Sequence, residues 1–272
     1  MTTTQSCTGR IAWMTDIHLD MLSAPQFEAF MTNLTNRAVD GLLLTGDIAD
    51  GQTLFDTLEA FDSRLPFPVW FVLGNHDYYG TSIERQRTKL AQWCGRGRRA
   101  RWLNLETPIL LSEETALVGH DGWSDGRYGD FIGSSVVLND YRLIDELTGH
   151  DKDVLHARLK ALADEAAATL ESRLLDAFEM AAHVIVATHP PPFVEACWHE
   201  GQATLNEWTP HFSCKAIGDI LKRVMCRRPD RSVHVYCGHT HSSGYVRILD
   251  NLEVTTGGAR YGQPHFQNDI LY

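Results

Sequence analysis

Apolar and polar positions along this chain repeat one pattern: a short apolar run stops abruptly at glycine, aspartate, histidine or asparagine. Runs at 11–13, 42–44, 69–73, 184–187 and 233–236 predict strands, and Leu42-Leu43-Leu44 reads as a strand buried on both faces. Their polar tips are Asp16 with His18, Gly46-Asp47, Gly74-Asn75-His76-Asp77, His189, and Gly238-His239-Thr240-His241. Helical spacing over 26–37 and 54–61 links the first three strands into β-α-β units, which favour parallel pairing with right-handed crossovers. Further helices are predicted over 81–93 and 213–226. A longer one over 155–178 carries Leu155, Leu159, Leu162, Ala166, Leu170, Leu174 and Phe178 as a core-facing stripe. Hairpins are predicted for 108–111 with 115–118, and over 244–261 with the turn at Asp250-Asn251.

Two irregular stretches stand out. The loop 119–129 is rich in glycine and aromatics, and reads either as part of a substrate mouth, through Trp123, or as an ordinary surface loop. After His189, Pro190 to Pro192 disfavour an immediate helix. The following segment, 193–212, with Trp198, His199, Trp208 and His211, reads as a cap-like insertion over the strand ends. No low-complexity linker divides the chain, so residues 1–272 are expected to form one domain.

Composition narrows the classes. A formal net charge of −11 argues against a nucleic-acid scaffold, which normally presents a basic face. The basic run at 95–101 reads as a solvated loop rather than a phosphate site. The start of the chain lacks the apolar core of a secretory signal, and no apolar run reaches the length of a membrane span; a cytoplasmic protein is expected. Six cysteines without a C-x-x-C pair fit reduced thiols, with Cys237 a buried inert one.

Each polar tip is ambiguous alone. Asp16 and His18, two apart at a strand end, can reach one cation, or they can be a capping Asp beside a packed His. Asp47 can bridge two metals or cap the next helix. Asn75 offers an amide oxygen, and His76 beside Asp77 suggests an oriented imidazole. Tyr78 and Tyr79 are placed either to stack on a leaving group or to support the loop.

Together, in this order, the motifs Asp16-x-His18, Gly46-Asp47-x-x-Asp50, Gly74-Asn75-His76-Asp77, His189 and Gly238-His239-x-His241 resemble the calcineurin-like metallophosphoesterases. The resemblance implies an α/β (α+β) fold: a four-layer α-β-β-α sandwich of two mixed sheets with flanking helices and a dinuclear metal site at the strand carboxyl ends. Carried over by residue, it assigns Asp16, His18 and His241 to one metal, Asn75, His189 and His239 to the other, and Asp47 to both. Such a donor set suits divalent or trivalent Mn, Fe or Zn, with Co or Ni as further candidates. Two such ions activate water for attack on phosphorus and neutralise phosphoryl oxygens. With that site, His76, held by Asp77, is placed for the catalytic role of protonating the leaving oxygen or stabilising its charge, and Asp50 for orienting a ligand histidine or its loop.

Protein phosphatases of the family carry Arg where Gly51 follows Asp50, and Glu where Asp77 follows His76. The form seen here looks more like bacterial phosphodiesterases, including those acting on cyclic nucleotides. The expected activity is therefore metal-dependent hydrolysis of a small-molecule phosphate ester, with phosphodiesters favoured. Phosphomonoesters and nucleotide pyrophosphates are the alternatives, and a scaffold that has lost catalysis is a distant third because every ligand position is intact. Tyr78, Trp123, Trp198 and His211 are the candidate substrate contacts. The sequence leaves the oligomeric state open.

Overall fold

The structure is a computed structural model and describes residues 9–95, 97–199, 201–203 and 207–272. The polar start of the chain with Cys7, Arg96 of the basic run, and positions 200 and 204–206 lie outside the described residues.

The first half of the chain forms β1 (Arg10–Met14), α1 (Ala24–Thr35), β2 (Gly41–Thr45), α2 (Leu54–Arg64), β3 (Val69–Val72), α3 (Ile83–Cys94) and β4 (Ala100–Trp102). It continues through β5 (Ile109–Leu110), β6 (Thr115–Gly119), α4 (Asp140–Leu143), α5 (Lys152–Phe178), β7 (His183–Ala187), β8 (Trp198–His199) and β9 (Gln202–Ala203). The last elements are α6 (Thr209–Phe212), α7 (Lys215–Met225), β10 (Ser232–Cys237), β11 (Gly244–Leu249), β12 (Leu252–Thr256) and β13 (Ile270–Leu271).

Two mixed sheets result. One has the order β13-β1-β2-β3-β4, parallel except at β13; the other has the order β11-β12-β10-β7-β6-β5, with antiparallel pairs at both ends. Side-chain alternation sorts each strand between two cores. Ile11, Trp13, Leu43, Trp70 and Val72 of the first sheet meet Leu117, Ile185 and Ala187 of the second. Their neighbours Ala12, Met14, Leu42, Leu44, Phe71, Val184 and Val186 face the helices instead. Burying one such Leu or Val contributes about 1.5–3 kcal/mol, so a one-residue slip in any central strand would cost several of these contacts at once.

Helix starts follow their caps. In α1, Ser23 and Gln26 form a capping box with Pro25 in the first turn, which places the start two residues before the predicted one. Ser82 accepts from the Arg85 amide, so α3 begins after it rather than at Thr81. The predicted stripe on α5 is buried apart from the half-buried Leu162, and both hairpins form, the second ending at Thr256.

The basic run needs correction. Ala100 to Trp102 is the edge strand β4, with Ala100 and Trp102 buried on either side of Arg101. Arg98 pairs with Glu59 and Asp62, and Arg101 pairs with Glu106. Arg98 is thus answered by acidic groups far off in sequence and Arg101 by one five residues on, while the exposed Arg99 donates to the Leu65 carbonyl. No helix among the described residues is long and apolar enough to cross a membrane.

Candidate dinuclear metal centre

The carboxyl ends of β1, β2 and β3 in one sheet and of β7 and β10 in the other converge at one edge of the sandwich. Backbone hydrogen bonds lace the loops there: the Asp16 amide donates to the Gly46 carbonyl at 3.0 Å, the His18 amide to Asp47 at 3.1 Å, and the Gly238 amide to His189 at 2.9 Å. Among the described residues, the non-glycine positions with positive φ are Asp16, His18, Asp47, His239 and His241. Each costs roughly 1–3 kcal/mol of backbone strain, and strain of that size persists only where the surroundings impose it. All of these residues aim side chains at one place. The glycines before them leave room: a Cβ on Gly74 would stand 2.2 Å from Asp47 Oδ1, and one on Gly238 2.1 Å from Asp16 Oδ2.

Two groups of donors form there, Asp16, His18, Asp47 and His241 in one, and Asp47, His189 and His239 in the other. Within each, the ligand atoms all lie within 4.8 Å of one another. In the first group, His18 Nε2 is 3.3 Å from His241 Nε2, and His241 Nε2 is 3.3 Å from Asp16 Oδ1. In the second, His189 Nε2 lies 3.2 Å from Asn75 Oδ1 and 3.5 Å from Asp47 Oδ1, which brings Asn75 into the group. Two buried carboxylates, four imidazoles and an amide oxygen, free of thiolate, fit two transition-metal ions. Asp47 is common to both groups, as expected.

The second group is oriented from behind. His189 donates through Nδ1 to the Thr45 carbonyl at 2.8 Å, leaving Nε2 toward the site. The Nε2–H of His239 points at the His211 carbonyl, 3.1 Å away, which leaves Nδ1 free. Asn75 donates through Nδ2 to Asp140 at 2.8 Å, which turns its Oδ1 inward. Such bonds fix the tautomer and aim of metal ligands. The first group has less support: the buried His18 Nδ1 makes no hydrogen bond, and the His241 side chain is 23% exposed.

Electrostatics follow from the crowding. Burial disfavours charge on Asp47, but His189, His76 and His18 overcome it and hold the carboxyl well below its usual range. Burial likewise opposes the charge on Asp16, and its hydrogen bond to His241 wins, so it too is lowered. Burial would lower His189, yet Asp47 beside it pushes the imidazole up to about 10. By contrast, burial pushes His18 down to about 4 and His239 to about 3, leaving both as neutral donors.

Several expected contacts are placed elsewhere. Asp77 does not hold the His76 ring: its Oδ1 accepts from the Ile48 and Ala49 amides, both at 3.0 Å, and its Oδ2 from the Gly74 amide at 2.8 Å. It ties the loop after β2 to the loop after β3. Asp50 accepts from the Thr53 amide at 2.9 Å and the Thr53 hydroxyl at 2.7 Å in the turn that leads into α2, and orients that loop rather than a histidine. Tyr78 is fully buried and donates to Asp121 at 2.8 Å, whereas Tyr79 packs on the His76 ring at 4.3 Å and donates to Asp140 at 2.7 Å. Trp123 is buried against Tyr78, and the His211 ring is buried between Tyr141 and Ser134. Neither indole nor imidazole is free to meet a substrate; only the His211 carbonyl serves the site. The loop 119–129 is largely interior, and Ser124 Oγ is 3.4 Å from His239 Nε2.

Besides a crevice of about 20 Å³ among Asn75, Trp123, His189 and His239, two larger cavities open onto the donors. One, of about 140 Å³, is walled by Asn75, His76, Tyr79, Asn139 and Asp140. The other, of about 260 Å³, is walled by Trp198, Trp208, Thr209 and Thr240. Phe212, His239, His241 and Tyr261 border both. Tyr261, whose ring lies 4.6 Å from that of His18, and Phe212, 4.5 Å from that of His239, carried no sequence signal.

This chain belongs to the calcineurin-like phosphoesterase family, whose sequence pattern it matches over residues 9–243. It is accordingly a metal-dependent hydrolase of phosphate esters with a dinuclear site. Among solved structures, it is similar to a phosphopantetheinyl hydrolase from Mycobacterium tuberculosis, with a TM-score of 0.67 at 16% identity over 93% of this chain and 90% of the other. It also resembles a dimetal phosphatase from Danio rerio, with a TM-score of 0.55 at 12% identity over 92% of this chain and 87% of the other. No protein of curated function matches the sequence.

Proposed function

We propose that the protein is a phosphodiesterase acting on linear diesters, with Asp16, His18 and His241 holding one metal, Asn75, His189 and His239 the second, and Asp47 both. The observation that carries this reading is the pair of cavities meeting at the donors, neither walled by a lysine or arginine among the described residues. A diester has two organic arms on one phosphorus and a single negative charge. A monoester has one arm and nearly two charges at neutral pH, and would meet the buried Asp140 in the wall of the smaller cavity with no lysine or arginine to offset it. Nucleoside polyphosphates fare worse on the same ground. A cyclic nucleotide carries both ester oxygens on one body and would leave one cavity unused, which favours linear diesters over the cyclic ones.

The ions supply acidified water and neutralise the phosphoryl oxygens. The chain supplies placement and a proton. His76 faces the smaller cavity, its Nε2 4.0 Å from Asp47 Oδ2 and its side chain 18% exposed. Tyr79 and the Asp47 carboxylate, which accepts from the His76 amide at 2.9 Å, fix where it stands. From there it can protonate a departing alkoxide.

The test is hydrolysis of bis(p-nitrophenyl) phosphate beside p-nitrophenyl phosphate by protein loaded with Mn, Fe, Zn, Co or Ni. Faster cleavage of the diester is the expected result; a monoester preference would overturn the reading. A phosphopantetheinyl ester belongs in the same series, since the Mycobacterium tuberculosis protein of the same fold is named for that group.

A further inference from the structure

The two cavities differ in chemistry as well as size, and His76 stands in only one of them. The smaller, at about 140 Å³, presents Asn139, Asp140, Tyr79 and the His76 ring. The larger, at about 260 Å³, presents the indoles of Trp198 and Trp208 and the ring of Phe212. Trp208 is 49% exposed, so its indole stands at the rim. Room for the Trp198 ring comes from Gly244, where a Cβ would stand 2.2 Å from the indole. Residues 193–212 contain no lysine or arginine, so this wall suits an uncharged arm.

Resting on the phosphodiesterase reading, we infer that the site also fixes which ester bond breaks. The aromatic cavity holds a large apolar or aromatic alcohol that stays on phosphorus, and the polar cavity holds a small hydrophilic alcohol that leaves. The substrate class is a mixed phosphodiester of such a pair. In the step, a water oxygen bonds to phosphorus and the bond from phosphorus to the small alcohol's oxygen breaks. The electron pair stays on that oxygen, which takes a proton from the His76 imidazolium, and the proton lost by water restores that imidazolium. The products are the small alcohol and the phosphomonoester of the large one. Reversed placement would move the leaving oxygen out of the cavity that holds His76 and into the one lined by Trp198, Trp208 and His199, of which the two indoles have no proton to give at neutral pH and His199 is exposed to solvent.

Ethyl 2-naphthylmethyl phosphate tests this, because its two alcohols are of similar basicity and leave with little intrinsic bias. The metal-loaded enzyme is expected to release ethanol and 2-naphthylmethyl phosphate, with a preference of about tenfold or more, the size of discrimination that an apolar pocket supplies. Trp208→Ala is expected to move the ratio toward one, and Trp208→Phe to preserve it. Equal release, preferred release of 2-naphthylmethanol, or a ratio indifferent to Trp208→Ala overturns the inference. If bis(p-nitrophenyl) phosphate is cut while any of these holds, the phosphodiesterase reading survives alone. If the enzyme cuts no diester, both fall.

Discussion

The two halves of the metal centre share Asp47 and are otherwise unequal. Asn75, His189 and His239 are each held by a partner behind them, namely Asp140, the Thr45 carbonyl and the His211 carbonyl. His18 and His241 face each other at 3.3 Å, with an unpartnered nitrogen on one and part of the other open to solvent. One half has a hydrogen-bond partner behind every ligand and a single strained residue, His239, whereas the other relies on backbone strain at Asp16, His18 and His241, with only the Asp16 carboxylate held from outside, by the Thr15 hydroxyl and the His239 amide. The difference teaches that a ligand set of similar chemistry can be positioned in two ways. A strained loop sets the direction of a side chain, and an outer partner also sets its tautomer.

The largest effect expected is at the shared residue. Asp47→Ala should empty both halves and lower diester hydrolysis by about 10³-fold or more, since metal catalysis contributes several kcal/mol; metal analysis and kinetics on the purified variant check it. Full occupancy by two metals would dissolve the idea of a joined site. Next comes His76→Ala, which should leave both metals in place and slow esters of alkyl alcohols by about 10²-fold, but p-nitrophenyl esters much less. A loss independent of the leaving group would remove its role as acid.

Asp140→Ala sharpens the comparison directly. Freed from its partner, Asn75 should lose its aim, weakening the second metal by about 10- to 100-fold while the first stays bound, with Asp140→Asn restoring much of the difference. Metal titration by competitive chelation separates the two affinities, and equal weakening of both halves would show that the outer bonds do not distinguish them.

The smallest expected effect is in pH. In the metal-free protein, Asp47 raises His189 from 6.5 to about 10. A raised pKa contributes stability that is complete below 6.5 and is lost as pH climbs through about 10. Melting temperature without metal should therefore fall across that window, with a slope of at most about 1.4 kcal/mol per pH unit. Bound metal replaces the proton, so loading at neutral pH should release protons, and the loaded protein should melt at nearly constant temperature over the same range. A metal-free protein with a flat profile would deny the His189–Asp47 contact.

The residues that cluster as candidate metal ligands stood out in the sequence because each lies where an apolar run breaks at a strand end, a position fixed by local pattern. The strands and the parallel β-α-β pairing were legible in the same pattern, whereas the two-sheet sandwich came only through the family resemblance. What lay behind the ligands was not legible. Asp140 opens α4, far from Asn75 in sequence, and the His211 contribution is a main-chain carbonyl that no residue type signals. Tyr78 and Tyr79 are neighbours in one tight turn that sends one ring into the core and the other onto His76, a distinction the sequence pattern does not carry. Asp77 misled for a related reason. A carboxylate next to a histidine looks like its orienter, but backbone amides at 2.8 and 3.0 Å claimed both oxygens.

The central claim is that Asp47 joins two metal ions held by the ligand sets Asp16, His18, His241 and Asn75, His189, His239. Crystals of the manganese-loaded protein, measured for anomalous scattering, test it most directly. The account predicts two anomalous peaks, one against each set, with an Asp47 carboxylate oxygen in contact with both. A single peak, or two of which only one touches Asp47, would contradict it.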